Sequence, residues 1–466
     1  MNYAAIFRML AFSGLVYSSA MILCAVVALI SGETPQVKSF LATSVIMSTV
    51  SVSTLVLTGS PRRRALPSDG LAFMVAFWFV SAAVCAPPFL VGLPNQSIVT
   101  ALHESVSCLT TTGHSAFEFG TLPSSILLWR AILHLAGAIA TITFAATVLA
   151  ALNLDGPGIH RNHLFSLSDL SFFDSIPRVL RTVVVVAIVC VILVFSIEVI
   201  GGIPAGTAFF DAVSAFTTGL VDPSGSSSDV TREARAIGLS IGLLLGTLGL
   251  FIIVQATSGH FRRMLVDAEV LTFLAALTVF AALAFTQGLK LFNAFGWSLS
   301  AISTSGIALV SPVSTQSLPL ALQLAPPMIG GAALSAAGGI KLARLYVLSR
   351  RVGQEFLRMG FRQSLMKFSF RRRVQSDRTI MGIWVYLVAY IMASVCGLLL
   401  FSFTGSGFEE SIADTIGSLT NAGNLIALEG LGSNELRQLW LMLGMILGRL
   451  EVLAFVPLLT ASFWRR

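Results

Sequence analysis

Four short segments, each rich in small hydroxyl or amide residues and each closing on a glycine, interrupt long apolar stretches of this chain. They are Glu104–His114 (ESVSCLTTTGH), Phe210–Leu220 (FDAVSAFTTGL), Trp297–Ile307 (WSLSAISTSGI) and Asp414–Asn424 (DTIGSLTNAGN). Their glycines, Gly113, Gly219, Gly306 and Gly423, recur about every 100 residues, and a period of that size signals quasi-equivalent structural modules. One such segment reads as an ordinary polar turn. Four, each held between two apolar spans, define an architecture.

The apolar spans fall at about 8–31, 39–58, 71–92, 123–152, 181–203, 236–258, 267–287, 317–347, 379–403 and 435–462. The chain is 466 residues long, 55% hydrophobic and 11% charged, against about 25% charged in a soluble domain. This is the composition of a polytopic membrane protein with roughly ten spans of about 20 residues. The net charge of +7 resides in a few stretches: Arg62–Arg64, Arg262 and Arg263, the long segment Ser349–Arg378, and Arg465 with Arg466. That clustering follows the positive-inside rule and puts those loops in the cytoplasm, so the charge is no argument for nucleic acid. The spans then sort into a leading pair and four further pairs, and each Gly segment lies on the outer side between the two members of its pair. Cys24, Cys85, Cys108, Cys190 and Cys396 sit in apolar surroundings without paired spacing and read as buried small hydrophobes. The first apolar run has no clear cleavage site and is expected to be retained.

Non-helical backbone at membrane depth is tolerated where it is buried in protein or lines water. A short helix that enters from outside and returns as an extended strand leaves carbonyls without helical partners. Four such strands around one axis can replace the hydration shell of a cation with carbonyls and threonine hydroxyls. Glycine suits the turning point because it takes positive φ freely. The short helices also aim their negative C-terminal ends at the same axis. The competing reading is a set of polar outer loops in an unrelated transporter.

In order along nearly the whole chain, the sequence resembles the Trk/Ktr/HKT superfamily of potassium transporters, and its bacterial TrkH branch in particular. Besides the four Gly segments, the resemblance rests on Pro67–Phe89, Leu122–Gly137, the glycine-rich Ile329–Arg344, and Gly448–Leu459 with its arginine. It implies an all-α polytopic fold of four M1–pore helix–M2 repeats around a pseudo-fourfold axis, preceded by two extra transmembrane helices. The expected divisions are 1–66 for the leading helices, then repeats at 67–157, 158–264 and 265–350, and 351–466 for a basic cytoplasmic loop with the fourth repeat. It further implies a selectivity filter binding K⁺ at Thr111, Thr112, Gly113, Thr217, Thr218, Gly219, Thr304, Ser305, Gly306, Asn421, Ala422 and Gly423. Family members with glycine in the first loop are typically potassium-selective and those with serine there conduct sodium, so Gly113 favours potassium. Because each loop has one glycine and no TVGYG run, looser K⁺/Na⁺ discrimination than in potassium channels is expected.

Gly330–Lys341 (GGAALSAAGGIK) interrupts an apolar span with residues that form a poor helix. Physically, either close helix packing through small residues or a loop is open. The resemblance implies a gating loop below the filter, built on Gly330, Gly331, Gly338 and Gly339, with Lys341 at its inner end. Arg449 lies within the last span, where an unpaired charge costs at least ~2.5 kcal/mol. Either a structural ion pair or, by resemblance, an arginine facing the pore near the gate accounts for it. Glu451, two residues on, is on a different face and is a poor partner for Arg449. Glu104, Glu118, Asp211, Asp222, Asp414 and Glu429 either draw cations to the outer mouth or serve as caps and solvated groups. His114, next to the first glycine, is a candidate for titration near neutral pH, with flux expected to fall on outer acidification.

The second loop departs from the others. Ser107, Ser300 and Gly417 precede their glycines by six residues and Ser214 precedes Gly219 by five, so one residue is expected to be missing there. The helix that follows, from Ala236 to Thr257, is also less typical. No Walker or GxGxxG loop in strand–helix context is present, and His103, His114, His134, His160, His163 and His260 have no metal-ligand spacing. A transporter rather than an enzyme is expected, with K⁺ as the transported ion and no organic cofactor. The resemblance implies a multi-pass protein of the bacterial inner membrane, in contact with lipid, with both termini cytoplasmic. It also implies a homodimer docked on a cytosolic nucleotide-binding regulatory subunit of the TrkA/KtrA kind, for which the basic 349–378 stretch is a docking surface or, alternatively, a contact with anionic lipid. A sodium-conducting or weakly selective transporter of the same superfamily is the alternative function.

Overall fold

The computed structural model describes residues 1–59, 65–94, 96–117, 122–149, 172–221, 229–257, 259, 262, 265–307, 309, 318–360, 369–370, 373–374, 377–426 and 434–451. Among the described residues the regular elements are helices apart from a two-residue antiparallel ladder, β1 (Ser369–Phe370) with β2 (Arg373–Val374), in the basic stretch.

Two long helices lead, α1 (Tyr3–Ile30) and α2 (Thr34–Thr58). They turn back on each other at Ser31–Glu33 and are tied by reciprocal hydrogen bonds, Ser18 Oγ to Ser44 O (3.0 Å) and Ser44 Oγ to Ser18 O (3.1 Å). Small polar side chains let helices approach closely in lipid. Asn2 caps α1 by accepting from the Ala5 N–H (3.1 Å). Its own N–H donates to Asp69 (2.9 Å), which also caps the next helix through the Leu66 N–H (2.9 Å). One carboxylate therefore fixes the leading pair to the first repeat.

The four repeats follow. The first is α3 (Pro67–Cys85) with α4 (Pro87–Gly92), then α5 (Ile98–Leu109) and α6 (Ser124–Phe144), which ends in a π turn at Ala145–Leu149. The second is α7 (Phe172–Ile200), α8 (Ala205–Thr217) and α9 (Asp229–Thr257). The third is α10 (Ala268–Thr286), α11 (Leu291–Ile302) and a broken helix, α12 (Leu320–Ile329) and α13 (Leu342–Gly360). The fourth is α14 (Asp377–Ser402), α15 (Phe408–Thr420) and α16 (Glu435–Leu450). The middle helices α5, α8, α11 and α15 have 12 or 13 residues. At 1.5 Å per residue they are about 18–20 Å long and stop partway through a 30 Å hydrocarbon layer.

Among the described residues, eight helices are long and apolar enough to cross a membrane, and they match eight of the ten expected spans. The expected span at 317–347 is broken over 330–341. The span expected at 435–462 is described as α16 up to Leu450, and its remainder lies outside the described residues, as do Arg62–Arg64 and the division at 157/158. Val45, Ile46, Val56 and Leu57 on α2, and Val388, Met392 and Leu399 on α14, are exposed and form the face offered to lipid. Inside, aromatic edges lock the first repeat and tie it to the second: Phe73 against Phe144 (5.6 Å) and against Phe173 of α7 (5.8 Å), and Phe77 against Phe144 (5.2 Å).

Glycines on the last helix of three repeats seat the short helices. A Cβ on Gly137, Gly246 or Gly448 would overlap the carbonyl of Leu109, Phe216 or Leu419, at the C-terminal end of α5, α8 or α15. Only backbone without side chains packs that closely. In the third repeat this level is occupied by the break at 330–341.

Candidate functional site

Each short helix terminates by the same device. The N–H groups of Thr112, Gly219, Ser305 and Ala422 donate to the carbonyls five residues back, those of Ser107 (2.9 Å), Ser214 (3.2 Å), Ser300 (3.3 Å) and Gly417 (2.8 Å). Just before each stands a left-handed residue: Thr111 (φ 52°), Thr218 (φ 53°), Thr304 (φ 59°) and Asn421 (φ 55°). This is a Schellman closure, in which glycine ordinarily takes the left-handed place. Threonine there costs about 1–2 kcal/mol and is an outlier for a β-branched residue. Strain retained at three of four equivalent points, with Asn421, which tolerates this conformation, at the fourth, marks a geometry held for function.

The closures also set the register between loops. Gly219 stands level with Thr112, Ser305 and Ala422, and the residue level with Gly113, Gly306 and Gly423 is Leu220. The serine anchors agree. Ser107 Oγ donates to His114 O, Ser300 Oγ to Ile307 O (2.7 Å), and Ser214 Oγ accepts from the Val221 N–H (3.1 Å), each seven residues on. The second loop is therefore not shortened, contrary to the sequence reading; its glycine comes one residue early. At the glycine level the ring is also less regular than expected, because Gly113 (φ 73°) and Gly306 (φ 66°) take positive φ whereas Leu220 and Gly423 do not.

The expected filter residues come together, and all except partly buried Gly306 are buried. A Cβ at Gly113 would press on the Leu220 backbone, one at Gly423 on the His114 N (2.7 Å), and one at Gly306 on the Asn424 side chain. The first and second, third and fourth, and fourth and first loops thus abut. Asn421 Nδ2 crosses the fourth-to-first junction to Thr112 Oγ1 (3.1 Å) and also donates to Met445 O (3.0 Å). One level inward, Thr110, Thr217 and Thr420 donate their hydroxyls to Val106 O (2.7 Å), Val213 O (2.8 Å) and Ile416 O (2.7 Å), and Ser303 donates to Ser300 O (2.8 Å). With the proton committed to the helix, each oxygen keeps lone pairs for a cation.

The stretch 330–341 is a folded loop, so the alternative of two helices packed through small residues does not apply. It docks on a kink of α9 at Gly249 (φ 79°, ψ 155°). Ala332 N–H donates to Thr247 O (2.9 Å), Ala336 N–H to Gly246 O (3.3 Å), and Leu250 N–H to Leu334 O (3.0 Å). The atypical look of the helix after the second loop thus has a cause: α9 breaks to pair with this loop. Gly338 abuts the Thr420 carbonyl at the end of α15, and its N–H donates to Thr304 Oγ1 (3.0 Å). Lys341 Nζ folds back on Ser335 O (3.3 Å) and Ala337 O.

Arg449 is buried and donates to Thr110 O, Thr111 Oγ1 and Ala336 O, joining the first re-entrant loop to the 330–341 loop. Glu451 pairs with Arg344, whose guanidinium also lies over Tyr386 (4.1 Å). Below, Met74, Phe144, Ser335, Lys341 and Arg449 help line a cavity of about 30 Å³. That volume holds one or two waters, not a hydrated cation.

Three of the acidic residues are not free to draw cations. Glu104 pairs with Arg130, Asp211 with Arg235 and Asp414 with Arg437, all largely buried. Each carboxylate stands three residues before the Ser107, Ser214 or Gly417 level on its short helix, and each arginine lies within the first two turns of the following helix. The third repeat has Trp297 at that place. These arginines were missed in the sequence, although the fixed offset of the acids from the repeated segments was there to be read. Glu118, Asp222, Glu429, His160 and His163 lie outside the described residues. His114 is buried, with its ring edge-on to His103 (5.3 Å).

No family model matches the chain. The Trk system potassium uptake protein TrkH of Salmonella typhimurium is 26% identical over 100% of both chains. The Trk system potassium uptake protein TrkG of Escherichia coli is 24% identical over 85% of each. The crystal structure of the potassium transporter TrkH from Vibrio parahaemolyticus superposes with a TM-score of 0.85 over 100% of both chains at 22% identity, a likeness of fold.

Proposed function

This chain belongs to the Trk superfamily of membrane transporters, and from that premise we propose that it is the potassium-translocating subunit of a Trk-type uptake system. It is a multi-pass membrane protein and a transporter, not an enzyme. The observation that carries the ion pathway is the left-handed closure repeated at Thr111, Thr218, Thr304 and Asn421. It turns four strands inward from the negative ends of four short helices, and carbonyl and hydroxyl oxygens there replace water around a dehydrated K⁺.

Thr111 to Gly113, Thr304 to Gly306 and Asn421 to Gly423 form three quarters of the filter in this reading, and Thr218, Gly219 and Leu220 stand at the same levels in the second quarter, with Thr217 one residue inward. Passage is controlled by the loop with Gly330, Gly331, Gly338, Gly339 and Lys341, latched to the filter by Arg449. The bonds from Arg449 to both parts support a latch, and the small cavity beneath supports a closed state. The divisions at 66, 157, 264 and 350 delimit the leading pair and the four repeats. In the cell the protein is a homodimer in a bacterial inner membrane with cytoplasmic termini. A cytosolic nucleotide-binding subunit of the TrkA kind docks near the basic stretch after α13.

Expression in a bacterium deprived of its own potassium uptake systems tests the function. Restored growth at submillimolar K⁺ is expected, and failure despite membrane insertion contradicts it.

A further inference from the structure

The second loop carries the side chain of Leu220 at the level where the other three loops have glycine. Leu220 is absent from the left-handed region that Gly113 and Gly306 occupy; Gly423 is outside it too, but as a glycine it carries no side chain there. Its side chain packs toward the cluster of Ala215, Leu239 and Leu243. The carbonyls of this strand are also engaged. Arg130, fully buried and paired with Glu104, donates Nε to Val221 O (3.1 Å) and Nη2 to Leu220 O (3.4 Å). In this quarter, an arginine of the first repeat satisfies the oxygens at and just beyond the glycine level. The backbone abutting Gly113 is that of Leu220 itself, so the irregular strand is a direct neighbour of the first filter glycine.

We propose that Leu220 is a specificity-determining residue: by holding the second strand out of the glycine conformation, with its carbonyl on Arg130, it leaves the ring incomplete at that level and weakens discrimination between K⁺ and Na⁺. A cation dehydrated there meets fewer fixed dipoles than in a ring of four glycines. The smaller Na⁺, which a sparse and adaptable ring accommodates, is then excluded less strongly. This rests on the reading of the chain as a potassium transporter.

The test is the ratio of Na⁺ to K⁺ concentrations that half-inhibit ⁸⁶Rb⁺ uptake into proteoliposomes, for wild type, Leu220→Gly, Leu220→Asn and Leu220→Ala. Glycine reaches positive φ freely and asparagine at small cost, whereas alanine does not. The expected ratio rises severalfold in Leu220→Gly, less in Leu220→Asn, and stays at the wild-type value in Leu220→Ala. The Asn variant carries the same test where the Gly variant does not fold. An unmoved ratio in the folded Gly or Asn variant, or Ala exceeding Asn in the order of side-chain volume, overturns the proposal. Absence of ⁸⁶Rb⁺ uptake by wild type strikes instead at the transport reading beneath it.

Discussion

Replacing Arg449 by Gln separates the latch from the rest of the pathway. The guanidinium donates to Thr110 O and Thr111 Oγ1 on one side and to Ala336 O on the other, and the last contact joins the filter to the 330–341 loop. Moving the loop aside breaks that one charge-assisted hydrogen bond while leaving the two to the filter. Such a bond contributes about 1.5–3 kcal/mol, and 1.4 kcal/mol is tenfold in an equilibrium. Arg449→Gln should therefore raise the open fraction, and with it ⁸⁶Rb⁺ flux through proteoliposomes, by roughly 10- to 100-fold. Removing a positive charge from the cation route acts in the same direction. Unchanged or reduced flux from variant protein that elutes as a single species in detergent would refute the latch.

Arg437→Ala strands Asp414 as a buried carboxylate and should cost about 3–5 kcal/mol, read as a fall in melting temperature in detergent, with Asp414→Ala on top restoring most of it. Gly448→Ala drives a methyl into the Leu419 carbonyl and should destabilise by about 1–3 kcal/mol in the same assay. Thr304→Val removes the acceptor of the Gly338 N–H at nearly constant volume, an orphaned donor worth about 1–3 kcal/mol, read as a fall in melting temperature in detergent.

The four-module architecture was legible because the lipid demands long apolar spans and the re-entrant segments demand small polar residues, and both leave marks that recur along the chain. The broken third-repeat helix was legible in its glycines, Gly330, Gly331, Gly338 and Gly339. Two features were not. The register of the second loop was hidden because glycine was used as the alignment mark, whereas the invariant of the fold is the left-handed closure, which threonine occupies against its preference at Thr111, Thr218 and Thr304. The roles of Glu104, Asp211 and Asp414 were hidden because a carboxylate beside a polar loop looks solvated until its arginine is found 23 to 26 residues later in sequence, facing it from the next helix. Pairing across helices is a tertiary fact, and only the recurrence of the acids at one offset from the repeated segments leaves a mark of it in the sequence.

The central claim is that the ring of strands selects potassium. Competition against ⁸⁶Rb⁺ uptake into proteoliposomes by K⁺ and by Na⁺, for wild type and Gly113→Ser, tests it most directly. Gly113 holds φ 73° with its Cβ position against the Leu220 backbone, so a serine there must displace the strand. In wild type, K⁺ should compete at concentrations about tenfold or more below those of Na⁺, the discrimination expected of carbonyl and hydroxyl oxygens that replace the shell of the larger ion, and Gly113→Ser should lose most of that preference. Equal competition by the two ions in wild type, or a preference unchanged by Gly113→Ser, would contradict the account.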